Sequence, residues 1–261
     1  MTGIDLHLAG FAVLAPGIPD RATLLALLDG APWQDTTPRP ESTLLSPRER
    51  RRAPTTVLWS LAVAEAACAD AGIDPADTQA VFASGMGDLE LVDRICSTLA
   101  DNPAALSPTV FHNSVHNAPA GYWTIGAQAT ADTTALSAYR DSLAAALIES
   151  AARAACDARP ILLLSYDIPG PPPTTDFWQT RRGFAAAVVL TVHATANSIG
   201  LRIEPGVAAQ PALRLPVALQ AMVDDNPAAH ILSLLALHRA APGTGITLKP
   251  ERGMAVKVTR T

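Results

Sequence analysis

The 261 residues are 49% hydrophobic and only 16% charged. The charged share falls well below the soluble-protein norm of about 25%, so much of the surface must be apolar or alanine-like, as a buried partner face would be. Nineteen Lys and Arg against 24 Asp and Glu give a net charge of −5, which removes the long-range attraction that nucleic acid or an anionic membrane requires.

No uninterrupted apolar stretch reaches the 18 or so residues of a membrane span. The segment Met1 to His7 lacks the basic start and apolar core of a secretory leader, so a cytoplasmic protein is expected. Cys68, Cys96 and Cys156 are odd in number and without C-x-x-C spacing. They read as small buried hydrophobes, with neither a disulfide framework nor a metal site.

In chain order, alternation through Ile4, Leu6 and Leu8, continuing to Ala15, predicts a strand that Pro16-Gly17 stops. A short helix follows at 21–28, then a Pro- and Thr-rich loop to Glu41. Ser46-Pro47 opens a predicted long helix to Ala71, capped by Gly72 and apolar on several sides, as for a helix inside a layered fold. Residues 79–84 predict a strand and 85–87 a tight turn. A helix follows from Asp88 to Leu99, with Leu89, Val92, Ile95, Cys96 and Leu99 on one face. Further on, 117–125 reads as helix, 133–138 as strand, 141–156 as an Ala-rich helix, and the apolar runs at 161–166 and 184–192 as strands covered on both faces. Beyond 200 the signal is weaker: a strand near 201–203, helices about 213–223 and 228–237, and a last strand at 254–258. The alternation predicts one layered α/β domain over 1–261 with a mixed or parallel sheet, its main layer ending near 194–200.

Candidate chemistry is sparse. Ser84 stands at a strand-to-helix turn as a hydrolase nucleophile would, but a nucleophile elbow needs Gly two residues earlier and position 82 is Phe. His112 and His116 have the spacing to share one helix face, without a third ligand at a recognisable interval. Gly243-Thr-Gly-Ile-Thr lacks the Lys of a phosphate loop and reads as a turn. The run Arg48, Arg50, Arg51, Arg52 starts a predicted helix, where cations oppose the dipole, and offers a docking patch for an acidic partner.

Taken together, these pieces resemble the N-terminal half of a β-ketoacyl synthase, with a thiolase-like layered α/β/α fold whose second half is truncated. The resemblance covers residues 4 to about 193, leaving 194–261 divergent. It rests on the opening strand with Gly10 and Pro16, Leu45-Ser-Pro-Arg-Glu-Arg-Arg-Arg before the Ala-rich helix, and Ala83-Ser84-Gly85-Met86-Gly87. It also rests on Ser107-Pro108 followed by Asn117-Ala-Pro-Ala-Gly121-Tyr-Trp-Thr-Ile125. In register, the family's nucleophilic Cys position holds Arg140. A guanidinium stays protonated and offers no usable lone pair, so no acyl-enzyme forms there. Neither the His-Gly-Thr-x-Thr loop nor the Gly-His motif of the family is present, and His238 stands before Arg-Ala-Ala-Pro-Gly-Thr-Gly only as a decoy.

A synthase-like chain without nucleophile or histidines resembles the noncatalytic chain length factors, and its short form is most similar to the subunit of aryl polyene-type synthases. That resemblance implies a full-length synthase partner in a heterodimer, and an acyl chain presented on the phosphopantetheine of an acyl carrier protein. It also implies tunnel or interface roles for Met86, Leu89, Glu90, Val110, Phe111, Asn117 and Gly121. Two other readings stay open: an independent acyltransferase or hydrolase working as a homodimer through Ser84 or the His112/His116 pair, and a carrier-protein scaffold docking through Arg48 to Arg52.

Overall fold

Side-chain alternation along the first strand decides which helices lie on which face. In the computed structural model, which describes residues 3–207 and 213–261, β1 (Ile4–Leu14) turns Leu6 and Leu8, then Phe11 and Val13, to one side, and Ala9, Ala12 and Leu14 to the other. The break in phase between Leu8 and Phe11 is a bulge, since the register against the neighbouring strand shifts between Leu8 and Gly10.

The remaining strands are β2 (Gln79–Ala83), β3 (Thr133–Leu136), β4 (Ile161–Asp167), β5 (Phe184–Thr191), β6 (Ile199–Pro205), β7 (Gly245–Leu248) and β8 (Val256–Arg260). They form one mixed sheet in the order β3-β2-β4-β5-β1-β6-β8-β7. The pairs of β2 with β3 and β4 are parallel and the others antiparallel. On one face lie α1 (Arg21–Leu28), α7 (Ser142–Asp157), α8 (Val217–Asp225) and α9 (Ile231–Ala236). On the other lie α3 (Thr55–Ala71) and α6 (Ala118–Gly126). The short α2 (Pro47–Arg50), α4 (Leu89–Asp101) and α5 (Pro108–Asn113) complete the chain. This is the layered α/β/α fold the sequence predicts.

The departures have local causes. The long helix expected from Ser46-Pro47 is two: a Ser46/Glu49 capping box opens α2, and Pro54, which cannot continue a helix, becomes the N-cap of α3. Arg48 and Arg50 therefore sit in the last turn of α2, where cations suit the dipole. α3 ends as expected, with Gly72 at φ +68° donating to Ala69 and Ile73 N–H to Cys68. Gly10 lets β1 and α3 approach, because a Cβ there would stand 2.5 Å from the Ala71 nitrogen.

Gly243 makes the expected turn, but 245–248 pairs with β8 as an edge strand that the turn reading missed. The layer edge expected near 194–200 is absent, since β6 pairs with β1 and the sheet runs on. Cys68 is buried as expected, whereas Cys96 and Cys156 are exposed. On α4 only Leu89 is buried; Val92 and Leu99 are 40% and 47% exposed.

Candidate functional site

The head of α7 is built by its own side chains. Ser142 donates its hydroxyl to the Tyr139 carbonyl at 2.6 Å and accepts the Ala138 N–H at 2.9 Å, a turn in which Tyr139 has φ +57°. The next residue is Arg140. Its guanidinium lies 5.6 Å from the Tyr139 ring centre and 5.3 Å from that of Trp178, and its Nε is 3.5 Å from a Glu251 carboxylate oxygen. A cation at a helix N-terminus opposes the dipole, and the two aromatic faces and Glu251 offset that cost. Arg140 pairs with Glu251, not with its neighbour Asp141. The Asp141 carboxylate instead accepts the backbone N–H groups of Glu251, Arg252 and Gly253 at 2.7, 3.0 and 3.0 Å. The C-terminal strap between β7 and β8 is thus tied to the head of α7.

Beside it lies the turn 84–87. Ser84 and Asp167 are both buried. The Ser84 hydroxyl donates to Asp167 Oδ1 at 2.7 Å and accepts the Gly87 N–H at 2.8 Å, while Gly85 N–H donates to the same carboxylate. Both hydrogen-bonding directions of Ser84 are therefore occupied, and no imidazole reaches its oxygen. His116 Nε2 meets the Ser84 carbonyl instead, at 3.1 Å. Burial pushes the Asp167 carboxyl up to about 7, against the hydrogen bonds from Ser84, Gly85 and Met86 that favour its charged form. Trp178 rests on the turn: a Cβ on Gly85 would stand 2.4 Å from the indole.

Residues singled out in the sequence fall into separate groups. Met86 is half-buried in the turn. Leu89 is buried against the Gly170 turn, where a Cβ on Gly170 would stand 2.7 Å from Leu89 Cβ. Glu90 and Val110 line one cleft of about 580 Å³ together with Arg52 and Arg94. Asn117 and Gly121 line another of about 450 Å³ with His112, Val115, Tyr122 and Ile125. Ile125 in this groove is 78% exposed, and Phe111, which precedes His112 in the chain, is 58% exposed.

His112 and His116 do not share a helix face, because α5 ends at Asn113 and His116 lies in the turn beyond it. Arg48, Arg50, Arg51 and Arg52 are all exposed, and Arg50 holds the Ser42 carbonyl. Sequence reasoning missed Trp178, Asp167 and Glu251. A single acid closing the apolar run 161–167 was the one available signal, for Asp167.

A model of the β-ketoacyl synthase N-terminal domain matches residues 28–241. The chain belongs to the β-ketoacyl synthase family. Among solved structures it is similar to one of a ketosynthase, ApeO, in complex with its chain length factor, ApeC, from Xenorhabdus doucetiae, with TM-score 0.74, 20% identity and 100% of both chains covered. It is also similar to the ishigamide ketosynthase/chain length factor, with TM-score 0.73, 14% identity and coverage of 100% and 99%. A third is a type II polyketide carrier protein complex, AntDE with AntF, with TM-score 0.72, 11% identity and the same coverage. No curated protein sequence matches. The head of α7 carries a fixed cation, Arg140, held by Tyr139, Trp178 and Glu251. Among the described residues no helix is long and apolar enough to cross a membrane.

Proposed function

We propose that this chain is a noncatalytic, chain length factor-like subunit that pairs with a full-length β-ketoacyl synthase and helps shape the tunnel in which the partner's acyl chain grows, in polyketide or aryl polyene biosynthesis. The observation that carries it is Arg140. A guanidinium held between Tyr139, Trp178 and Glu251 can neither be acylated nor give up a proton, so the thioester must be carried by another subunit.

The exposed apolar set supports a partner. Val115 and Ile125 line one groove, Phe111 stands exposed on α5 next to its lining residue His112, and covering each recovers about 1.5–3 kcal/mol. Gly121 costs its helix roughly 0.5–1 kcal/mol relative to Ala, and a Cβ there would meet nothing within 4 Å of this chain. That is intelligible where another chain approaches closely. The similar solved structures of ketosynthase and chain length factor assemblies point the same way. The acyl group would arrive on a carrier protein's phosphopantetheine, with Arg48 to Arg52 as an acidic partner's docking face.

The test is to purify the chain alone and together with a Cys-containing synthase from the same organism. Alone it takes up no labelled acyl group from an acyl-carrier donor; together the two form a 1:1 complex that condenses malonyl units. Acylation of the isolated chain would overturn the reading.

A further inference from the structure

We propose that the cleft where the C-terminal end of α3 meets β1 binds a small oxyanion, a carboxylate or a phosphate monoester, through Arg21, His238 and Asn197. It does not rest on the function proposed above. Asp70 in this cleft is 14 residues along α3 from Thr56, about 21 Å at the helical rise, and Thr56 is the residue whose hydroxyl meets Asp88 beside the 84–87 turn.

The cleft holds about 370 Å³ and is floored by β1 from Leu8 to Phe11, where the bulge lies. The Phe11 ring is its post. The Arg21 guanidinium stands 4.7 Å over the ring centre, and the His238 imidazole meets the ring edge-on at 5.6 Å. Asp70 fixes one side of Arg21, with its Oδ2 3.2 Å from Nε, and the same oxygen accepts the Phe11 N–H at 3.0 Å. Fastened there, the Arg21 fork keeps its Nη edge without a hydrogen bond among the described residues, and the Asn197 amide is likewise unbonded. Arg21 Nε meets Asp70 as an ion pair, and His238 Nδ1 is buried without a hydrogen-bond partner.

Among the described residues lining the cleft, Asp70 is the one acid and Arg21 the one cation, and two further guanidiniums, Arg239 and Arg260, stand close to His238. Arg239 is paired with Asp29, whereas the Arg260 guanidinium donates to the carbonyls of Leu237, His238 and Ala240. Burial first, and then the guanidiniums of Arg21, Arg239 and Arg260, hold the His238 imidazole below its ordinary range, with Asp70 acting the other way. A planar fork with a free edge, a neutral imidazole and a carboxamide are the donors that fit the two or three oxygens of a carboxylate or phosphate.

The test is calorimetric titration of the full chain with inorganic phosphate and, separately, with succinate at low ionic strength. One probe should bind saturably at a single site, and the tighter one fixes the class of oxyanion. Binding should weaken about 10-fold or more in Arg21→Gln, by the loss of a charge-assisted pair. Because Arg21→Gln also strands Asp70, His238→Gln and Asn197→Ala serve as second variants that break no ion pair. Each should weaken binding severalfold, and the exposed Arg214→Gln should leave it unchanged. Absence of saturable binding by either probe, or binding indifferent to His238→Gln and Asn197→Ala, would overturn the proposal.

Discussion

The Trp178 indole lies on Gly85, so close that a Cβ there would stand 2.4 Å from Cη2 and 3.0 Å from the Tyr139 carbonyl oxygen. The ring is 1% exposed and meets Tyr139 edge-on at 5.1 Å. One side chain therefore joins the 84–87 turn to the head of α7, and the turn cannot move without it. Gly85→Ala should destabilise the chain by about 1–3 kcal/mol through overpacking, read as a lower urea midpoint with an unchanged slope. An unaltered midpoint would show that Trp178 is free to swing away.

Asp167 predicts a pH signature. Its carboxyl is pushed above its unfolded value, to about 7, so its contribution to stability is fully present below about pH 4 and is lost as pH rises through about 7. Wild type should therefore lose stability relative to Asp167→Asn across that window, on the order of 1 kcal/mol per pH unit. Parallel pH profiles for the two proteins in urea unfolding would contradict this.

Asp141 ties the strap to α7 with three backbone hydrogen bonds. Asp141→Ala should free residues 249–253, raising the rate of tryptic cleavage after Arg252 severalfold and lowering stability by about 1–2 kcal/mol, less than three buried charge-assisted bonds would give because the site is open to water. A strap equally resistant in the variant would mean that β7 and β8 alone hold it.

Ile125 is 78% exposed, so Ile125→Asp should leave the isolated chain's stability within about 0.5 kcal/mol. The same change should abolish co-purification with the synthase partner. Retention of the complex would move the partner's footprint away from the α5–α6 groove.

Met86 tests the proposed tunnel. In the reconstituted complex, Met86→Trp should shorten the product, since overfilling an apolar wall costs about 1–3 kcal/mol. Products of unchanged length, measured by mass spectrometry, would take Met86 out of chain-length control.

The layers were legible because buried strands such as 161–167 and 184–191 read as apolar runs, and because Gly72 and Asp88 mark helix ends by simple chemistry. The break at Pro54 went unread, although a proline inside a predicted helix marks a boundary. Glu251 and Asp141 were not legible, because their meeting depends on β7 and β8 returning to the sheet edge across a sequence separation of 110. Trp178 follows a proline-rich loop that carries no periodicity, so nothing local says where its ring lands.

Strand β1 has one further consequence. It pairs on one side with residues 184–191 and on the other with 199–205, so neither neighbour is close to it in sequence. Pairing at such separation must close long loops before it gains contacts, and slows folding. During translation, β1 keeps both edges bare until about 190 residues have left the ribosome, and one bare until about 205 have, the lengths implied by those pairings. Yield in a heterologous host should depend on chaperone supply and growth temperature.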